Sequence, residues 1–369
     1  MEDYSVDIHF MRKAINLAKK GRGLTSPNPM VGAIVVKDGN IIAEGYHVKA
    51  GTPHAEVIAL DSAGSRAQGA TLYVNVEPCC HTNKRTPPCT TAIIEAGIRR
   101  VVVSMIDPNP EVAGQGIEAL QKAGIIVDVG ILKRQAEQLN EVFQKYITVK
   151  KPYVILKAAQ SLDGKIATAS RESKWITGPV SLQNAHQLRH DYDAILIGSG
   201  TVKADDPSLT ARIPEGKDPV RIILDSHLNI PLNAKVLTQK SSSITLIATT
   251  PKADKTRIKQ VEETGAKVLV LPEKDDMVDL KALMDELGRM DISSVLIEGG
   301  ATVNNSALRS GIVDKVVFFI APMILCGQDA ISCVGGLCPE SLQSAIKLTD
   351  LKVRRSGDDL MVEGYVVKS

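Results

Sequence analysis

The spacing of apolar positions along this chain switches repeatedly between helical and strand periods. Residues 7–20 carry Ile8, Met11, Ile15 and Ala18 on one side of a helical wheel, which predicts an amphipathic helix. Residues 30–36 and 41–44 read as strands around an Asp38-Gly39-Asn40 turn. A helix at 55–64, a strand at 71–76, a helix at 90–96 closed by Gly97 and a strand at 100–105 follow. Helices at 116–123 and 133–146 complete the first half. Strands alternating with helices need cover on both sheet faces, so the pattern predicts a layered α/β sandwich.

Lys150-Lys151-Pro152 breaks the rhythm, and a new strand begins at once at 153–158. The expected domains are therefore 1–149 and 150–369. In the second half, residues 194–197, 221–224, 243–248, 267–271, 294–297 and 315–320 are short, nearly unbroken apolar runs, the mark of strands buried on both faces. No internal period and no low-complexity segment interrupts them.

The composition narrows the functional classes. Over 369 residues, 44% are hydrophobic and 23% charged, as in ordinary globular domains. A net charge of +2 argues against a broad nucleic-acid surface, and aromatics at 3% leave few platforms for base stacking. The first residues mix acids with amphipathic spacing, so neither a signal peptide nor a membrane span is expected. Six cysteines in a chain of this length do not suggest a disulfide framework, and a cytoplasmic setting fits best.

The chemistry concentrates in His54-Ala55-Glu56, Glu77-Pro78-Cys79 and Cys89. One imidazole and two thiolates supply three zinc ligands, leaving a tetrahedral position open for water, as catalytic rather than structural zinc sites do. The H-x-E and P-C elements match the general signature of zinc deaminases, in which the glutamate moves protons and does not bind metal. We assign His54, Cys79 and Cys89 as ligands and Glu56 as the general acid/base. Cys80 competes with Cys79 for the ligand position, and His81 reads as a ligand, a pocket residue or a loop-packing histidine. Cys326, Cys333 and Cys338 contain no C-x-x-C pair and read as loop or core thiols.

These residues sit in a longer pattern. TSPNPMVGAIVV, GYHVKAGTPHAEVIAL, VNVEPCCHTNKRTPPCTTAIIEAGIRRVVVSMIDPNPEVAGQGI and LKAAQSLDGKIATASRESKWITG run in order through both halves. The chain thus closely resembles the bifunctional deaminase/reductases of riboflavin biosynthesis. The resemblance implies a cytidine-deaminase-like α/β/α sandwich followed by a dihydrofolate-reductase-like α/β domain. It implies deamination of a phosphorylated ribosylaminopyrimidinone with zinc, then reduction of the ribosyl side chain with NADPH. It also implies pocket roles for Asn28 and His47; Asn28 reads equally as a turn residue between two prolines. Nine residues separate Cys79 from Cys89, one more than in the commoner form of the family, and Asn83-Lys84 replaces a glycine and its basic residue. Lys84 or Arg85 is the expected phosphate contact there.

In the second half, Leu296-Ile297-Glu298-Gly299-Gly300 runs from a strand through a glycine turn into a helix, where backbone N–H groups can approach a cofactor phosphate. The turn lacks G-x-G-x-x-G, so a Rossmann domain is not supported. Ile197-Gly198-Ser199-Gly200-Thr201 is a second such turn. The resemblance makes Gly300, Ala301, Thr302, Val303, Asn304, Asn305 and Ser306 the NADPH segment. It adds Ala159, Trp175, Thr201, Asp205 and Ser226 as cofactor contacts, with a core role as the alternative for Trp175. Ser173, Arg189, Leu209, Arg212 and Glu298 are the implied substrate contacts; two arginines suit a phosphate, with plain surface charge as their alternative. Lys157 reads either as a sugar-orienting group or as a buried structural lysine. No proton donor for the reduction is identified. A dimer or tetramer of one chain is expected, with a small-molecule substrate and neither nucleic acid nor membrane as partner. A tRNA-editing-type deaminase would leave SLDGKIA and ADDPSLTAR unexplained, and an inactive zinc-stabilised binding protein would not need Glu56.

Overall fold

A computed structural model of the chain describes residues 5–80, 88–110 and 112–368. The chain divides into two compact units, Met1–Lys150 and Lys151–Ser369.

The first unit is built on β1 (Gly32–Lys37), β2 (Asn40–Tyr46), β3 (Thr71–Val76), β4 (Arg100–Met105) and β5 (Ile126–Val129). Around them lie α1 (Ser5–Ala18), α2 (Ala55–Ala63), α3 (Cys89–Glu95), α4 (Gln115–Lys122), α5 (Lys133–Leu139) and α6 (Glu141–Val149). The sheet order is β2-β1-β3-β4-β5, with β1 antiparallel to both neighbours and β3, β4 and β5 parallel. Ala33, Ile34 and Val35 are consecutive and all buried, which requires helices on both faces. Because β3 and β4 are parallel, their C-terminal ends open on one edge, where ligands bind in open α/β sheets. The Glu77-Pro78-Cys79 segment leaves from that edge.

Two local expectations are corrected. The helix expected over 133–146 is two helices, broken at Asn140 (φ −107°, ψ 23°). Asn140 leaves the helical conformation and clamps Met30: its Oδ1 accepts from the Met30 N–H (2.8 Å) and its Nδ2 donates to the Met30 carbonyl (3.1 Å). The β5 strand was not expected; it is a short edge strand whose Ile126 and Val129 are exposed.

The second unit centres on a nine-stranded sheet. Its chain order is β6 (Tyr153–Ser161), β7 (Lys165–Ala167), α7 (Pro179–Asp191), β8 (Ala194–Gly198), α8 (Ser199–Asp205), β9 (Val220–Leu224), α9 (Lys235–Thr238), β10 (Thr245–Thr249), α10 (Lys255–Glu262) and β11 (Lys267–Val270). There follow β12 (Glu273–Lys274), β13 (Met277–Val278), α11 (Leu280–Arg289), β14 (Ser294–Ile297), α12 (Ala301–Arg309), β15 (Lys315–Ala321), β16 (Ile331–Ser332), β17 (Leu348–Ser356) and β18 (Asp359–Val366). The main sheet runs β11-β10-β9-β8-β14-β6-β15-β18-β17, parallel as far as β15 and antiparallel in the last two pairings. Alternate residues of β8 face opposite cores: Ala194 and Leu196 join one cluster, Ile195 and Ile197 the other. Sequence periodicity found the parallel strands but not the β17–β18 hairpin, because β17 is exposed along almost its whole length and reads as polar.

Candidate functional site

His54 is the residue before α2, in extended conformation (φ −73°, ψ 159°), and Cys89 is the first residue of α3. Cys79 sits beyond the end of β3. Their ligand atoms all lie within 4.8 Å of one another. His54 Nδ1 is 3.1 Å from Cys89 Sγ and 3.6 Å from Cys79 Sγ, and the Cys89 N–H faces Cys79 Sγ at 3.5 Å. Among the described residues this is the group of its kind, and Cys80 is outside it. His81, Lys84 and Arg85 lie outside the described residues.

Glu56 is the second residue of α2, 3% exposed, with Oε2 buried and without a hydrogen-bond partner. Burial pushes its carboxyl above the ordinary range, against the opposing pull of His54. The Cys89 thiol is also pushed up, by its contact with Cys79, by burial and by the Glu56 charge. Two thiols and a carboxylate crowded in a buried site are unfavourable when ionised together, and a divalent cation removes that penalty. One nitrogen and two sulfurs at this spacing are a zinc donor set with an open fourth position.

Asn28 and His47 lie beside this cluster. Asn28 Nδ2 is 3.3 Å from His47 Nε2, and the His47 and His54 rings meet edge-on with centroids 5.5 Å apart. His47 Nδ1 lies 3.2 Å from the Pro53 carbonyl, which only accepts, so Nδ1 carries the proton and Nε2 accepts from Asn28. Sequence reasoning missed the residues that hold Met30, two positions after Asn28. Asn75 donates to the Met30 carbonyl (2.9 Å) and accepts from the Gly32 N–H (2.8 Å), and Asn140 pins Met30 from the other side. Both asparagines are buried, 0% and 1% exposed, which no local pattern in the sequence signals.

In the second unit a cleft of about 910 Å³ opens at the C-terminal ends of β8, β9 and β14. It gathers Ser173, Thr201, Asp205, Ser226, Glu298, Gly300, Ala301, Thr302, Val303, Asn305 and Ser306 from the sequence-derived set. Gly198 and Gly299 are required by packing: a β-carbon at either would run into Val303 of α12. Ala159, Lys157, Trp175, Arg189, Leu209, Arg212 and Asn304 do not line it. Asn304 is buried and turned inward, donating to the Cys333 carbonyl at 2.9 Å, and Trp175 is 68% exposed.

Glu298 and Arg189 form a paired unit. Arg189 Nε and Nη2 each donate to a Glu298 oxygen at 2.9 Å, and Lys157 Nζ approaches at 3.5 Å. Burial pushes the Glu298 carboxyl up, but Arg189 and Lys157 outweigh it and hold it at about 2. Arg189 also donates to the Thr210 carbonyl (3.2 Å), so its fork is largely committed within the protein, whereas Arg212 is exposed. His186, whose buried Nδ1 has no partner, feels Arg189, Arg212, Glu298 and Lys157 and was not anticipated.

A metal-centred hydrolytic deaminase unit followed by a reductase unit is the class that this fold and this site define. Residues 4–105 match the cytidine and deoxycytidylate deaminase zinc-binding region, and residues 152–362 match the RibD C-terminal domain. The chain belongs to the RibD family, the bifunctional deaminase/reductases of riboflavin biosynthesis. It is 47% identical over 97% of its length to the riboflavin biosynthesis protein RibD of Aquifex aeolicus, of which 98% is covered. It is 42% identical to the Escherichia coli RibD, with 96% of this chain and 98% of that protein aligned. Among solved structures, Acinetobacter baumannii RibD superimposes with a TM-score of 0.88 at 39% identity, covering 99% of this chain and 100% of that one. A Thermotoga maritima diaminohydroxyphosphoribosylaminopyrimidine deaminase/5-amino-6-(5-phosphoribosylamino)uracil reductase gives 0.86 at 38% identity, with 99% of both chains covered.

Proposed function

We propose that the first unit deaminates 2,5-diamino-6-(5-phosphoribosylamino)pyrimidin-4(3H)-one and that the second reduces the ribosyl side chain of the product to give 5-amino-6-(5-phosphoribitylamino)uracil. The observation that carries the reading is the closed His54, Cys79, Cys89 group with the unpartnered Glu56 oxygen buried beside it. His54, Cys79 and Cys89 would hold zinc, which would lower the pKa of a bound water to about 7. Glu56 would take a proton from that water and deliver it to the departing amine, so that the ring N=C–NH2 and H2O become HN–C=O and NH3. Its raised affinity for a proton suits both halves of that exchange. His47 Nε2, already receiving Asn28 Nδ2, orients the amide so that Asn28 Oδ1 is presented for the pyrimidine's amino groups.

In the second unit NADPH supplies the reducing equivalent. Gly300 to Ser306 at the start of α12 line the cleft, except for Asn304, and the first of them, Gly300 to Val303, offer backbone N–H groups to its phosphates. Thr201, Asp205 and Ser226 face the same space. Arg212 holds the substrate phosphate, while Arg189 and Lys157 fix Glu298 as an ionised acceptor for sugar hydroxyls. No helix among the described residues is long and apolar enough to cross a membrane. Homo-oligomerisation is supported by β17, the outermost strand of its sheet, which exposes Leu351 (59%) and Val353 (62%).

The decisive test is Glu56→Gln, assayed for ammonia release and NADPH oxidation separately. Ammonia release should vanish, while zinc content and reduction of the deaminated substrate remain. Loss of zinc instead would make Glu56 a ligand and overturn its assignment.

A further inference from the structure

Glu77 is 3% exposed, and no lysine or arginine pairs with it among the described residues. An isolated buried carboxylate is expensive unless its lone pairs are taken up. Here they are: Oε1 accepts from the backbone N–H groups of Gly116 (2.8 Å) and Ile117 (3.2 Å), and Oε2 from those of Gly114 (3.0 Å) and Asp107 (3.1 Å). Three of the four donors belong to the residue before α4 and its first turn, whose N–H groups lack partners within the helix.

The same side chain starts the segment that carries a metal ligand. The Glu77 N–H donates to the Met105 carbonyl (3.0 Å), extending the register of β3 on β4 by one residue. Pro78 then restricts the backbone. Its carbonyl oxygen lies so close to α4 that a β-carbon at Gly116 would overlap it. On the far side, the Cys79 carbonyl accepts from the Thr90 N–H (3.2 Å) and Oγ1 (3.4 Å) in the first turn of α3, next to Cys89. The Pro78–Cys79 peptide is thus gripped between the first turns of two helices, and Glu77 binds one of them.

We propose that Glu77 is a positioning residue for the metal: by gathering the start of α4 onto the end of β3, it fixes where Cys79 Sγ stands relative to His54 and Cys89. The inference rests on the zinc reading above. Glu77→Gln keeps the shape but replaces one acceptor oxygen with an NH2 group facing two N–H donors. Gly116→Ala attacks the same contact from the other side.

The test uses the full chain and zinc alone as the probe, in competition with a chromophoric chelator, with deaminase kcat and KM and reductase rate measured in parallel. Zinc affinity should fall about 10- to 100-fold in Glu77→Gln, the range for lost partners of metal ligands. Gly116→Ala should behave alike. At saturating zinc, kcat should drop with KM unchanged, and the reductase rate should not move. Val102→Ala, a core truncation in β4, supplies the comparison: it should lower thermal stability without touching zinc affinity. Glu77→Gln binding zinc as tightly as the parent would overturn the proposal and leave the zinc site standing. A parent chain that binds no zinc would overturn both. If Glu77→Gln does not fold, Gly116→Ala decides by the same readings.

Discussion

Replacing Glu298 with glutamine tests how the second unit is held together and how its site is charged. The carboxylate and the Arg189 fork are 10% and 14% exposed, and both oxygens are engaged. Its pKa falls from an ordinary 4.5 to about 2 in the folded protein. A difference of that size corresponds to about 3 kcal/mol of folding stability at neutral pH. Breaking a buried pair by removing one partner costs about 3–5 kcal/mol, so two independent routes agree. The depressed folded pKa sets the sign. The contribution is complete above about 4.5, the unfolded value, and is lost as pH falls through about 2. Glu298→Gln should therefore be less stable than the parent by about 3 kcal/mol near pH 7 and by only about 1 kcal/mol near pH 3. Urea titrations followed by hydrogen exchange in peptides from α7 and β14 isolate this unit from the other. A penalty that is the same at both pH values would refute the electrostatic account, and no penalty at pH 7 would refute the pairing itself.

Three further outcomes are expected. Arg212→Ala should raise the reductase KM by about 10- to 100-fold, the worth of one charge-assisted hydrogen bond, and spare ammonia release; equal loss in both activities would contradict its assignment. Asn140→Ala removes both bonds to Met30 and should cost about 1–3 kcal/mol in the first unit and lower deamination through Asn28, whereas unchanged deaminase kinetics would show that the Met30 clamp does not govern the pocket. Leu351→Lys together with Val353→Lys should convert an oligomer to monomers by light scattering, and an unaltered mass would place the interface elsewhere than β17.

Much of the deaminase site could be read locally. His54 and Glu56 are two residues apart, and the donor types themselves restrict the metal and the open coordination position. The parallel strands were equally legible, because a strand covered on both faces must be apolar at nearly every position, as Ala33-Ile34-Val35 and Val295-Leu296-Ile297 are. Both are properties of short stretches of chain. What only the tertiary structure decided are pairings across long separations. Glu298 meets Arg189 across 109 residues, and this turns an expected phosphate contact into one largely occupied by a carboxylate. Asn140 breaks a helix that its own segment would continue, because Met30, 110 residues earlier, offers both an N–H and a carbonyl. Glu77 stands beside Cys79 in the sequence, yet its partners lie 30 to 40 residues further on. Local pattern sets which groups are present and which face of an element they occupy. Which buried charge or amide finds which partner depends on how the elements pack, and the high cost of leaving such a group unpaired then selects one arrangement.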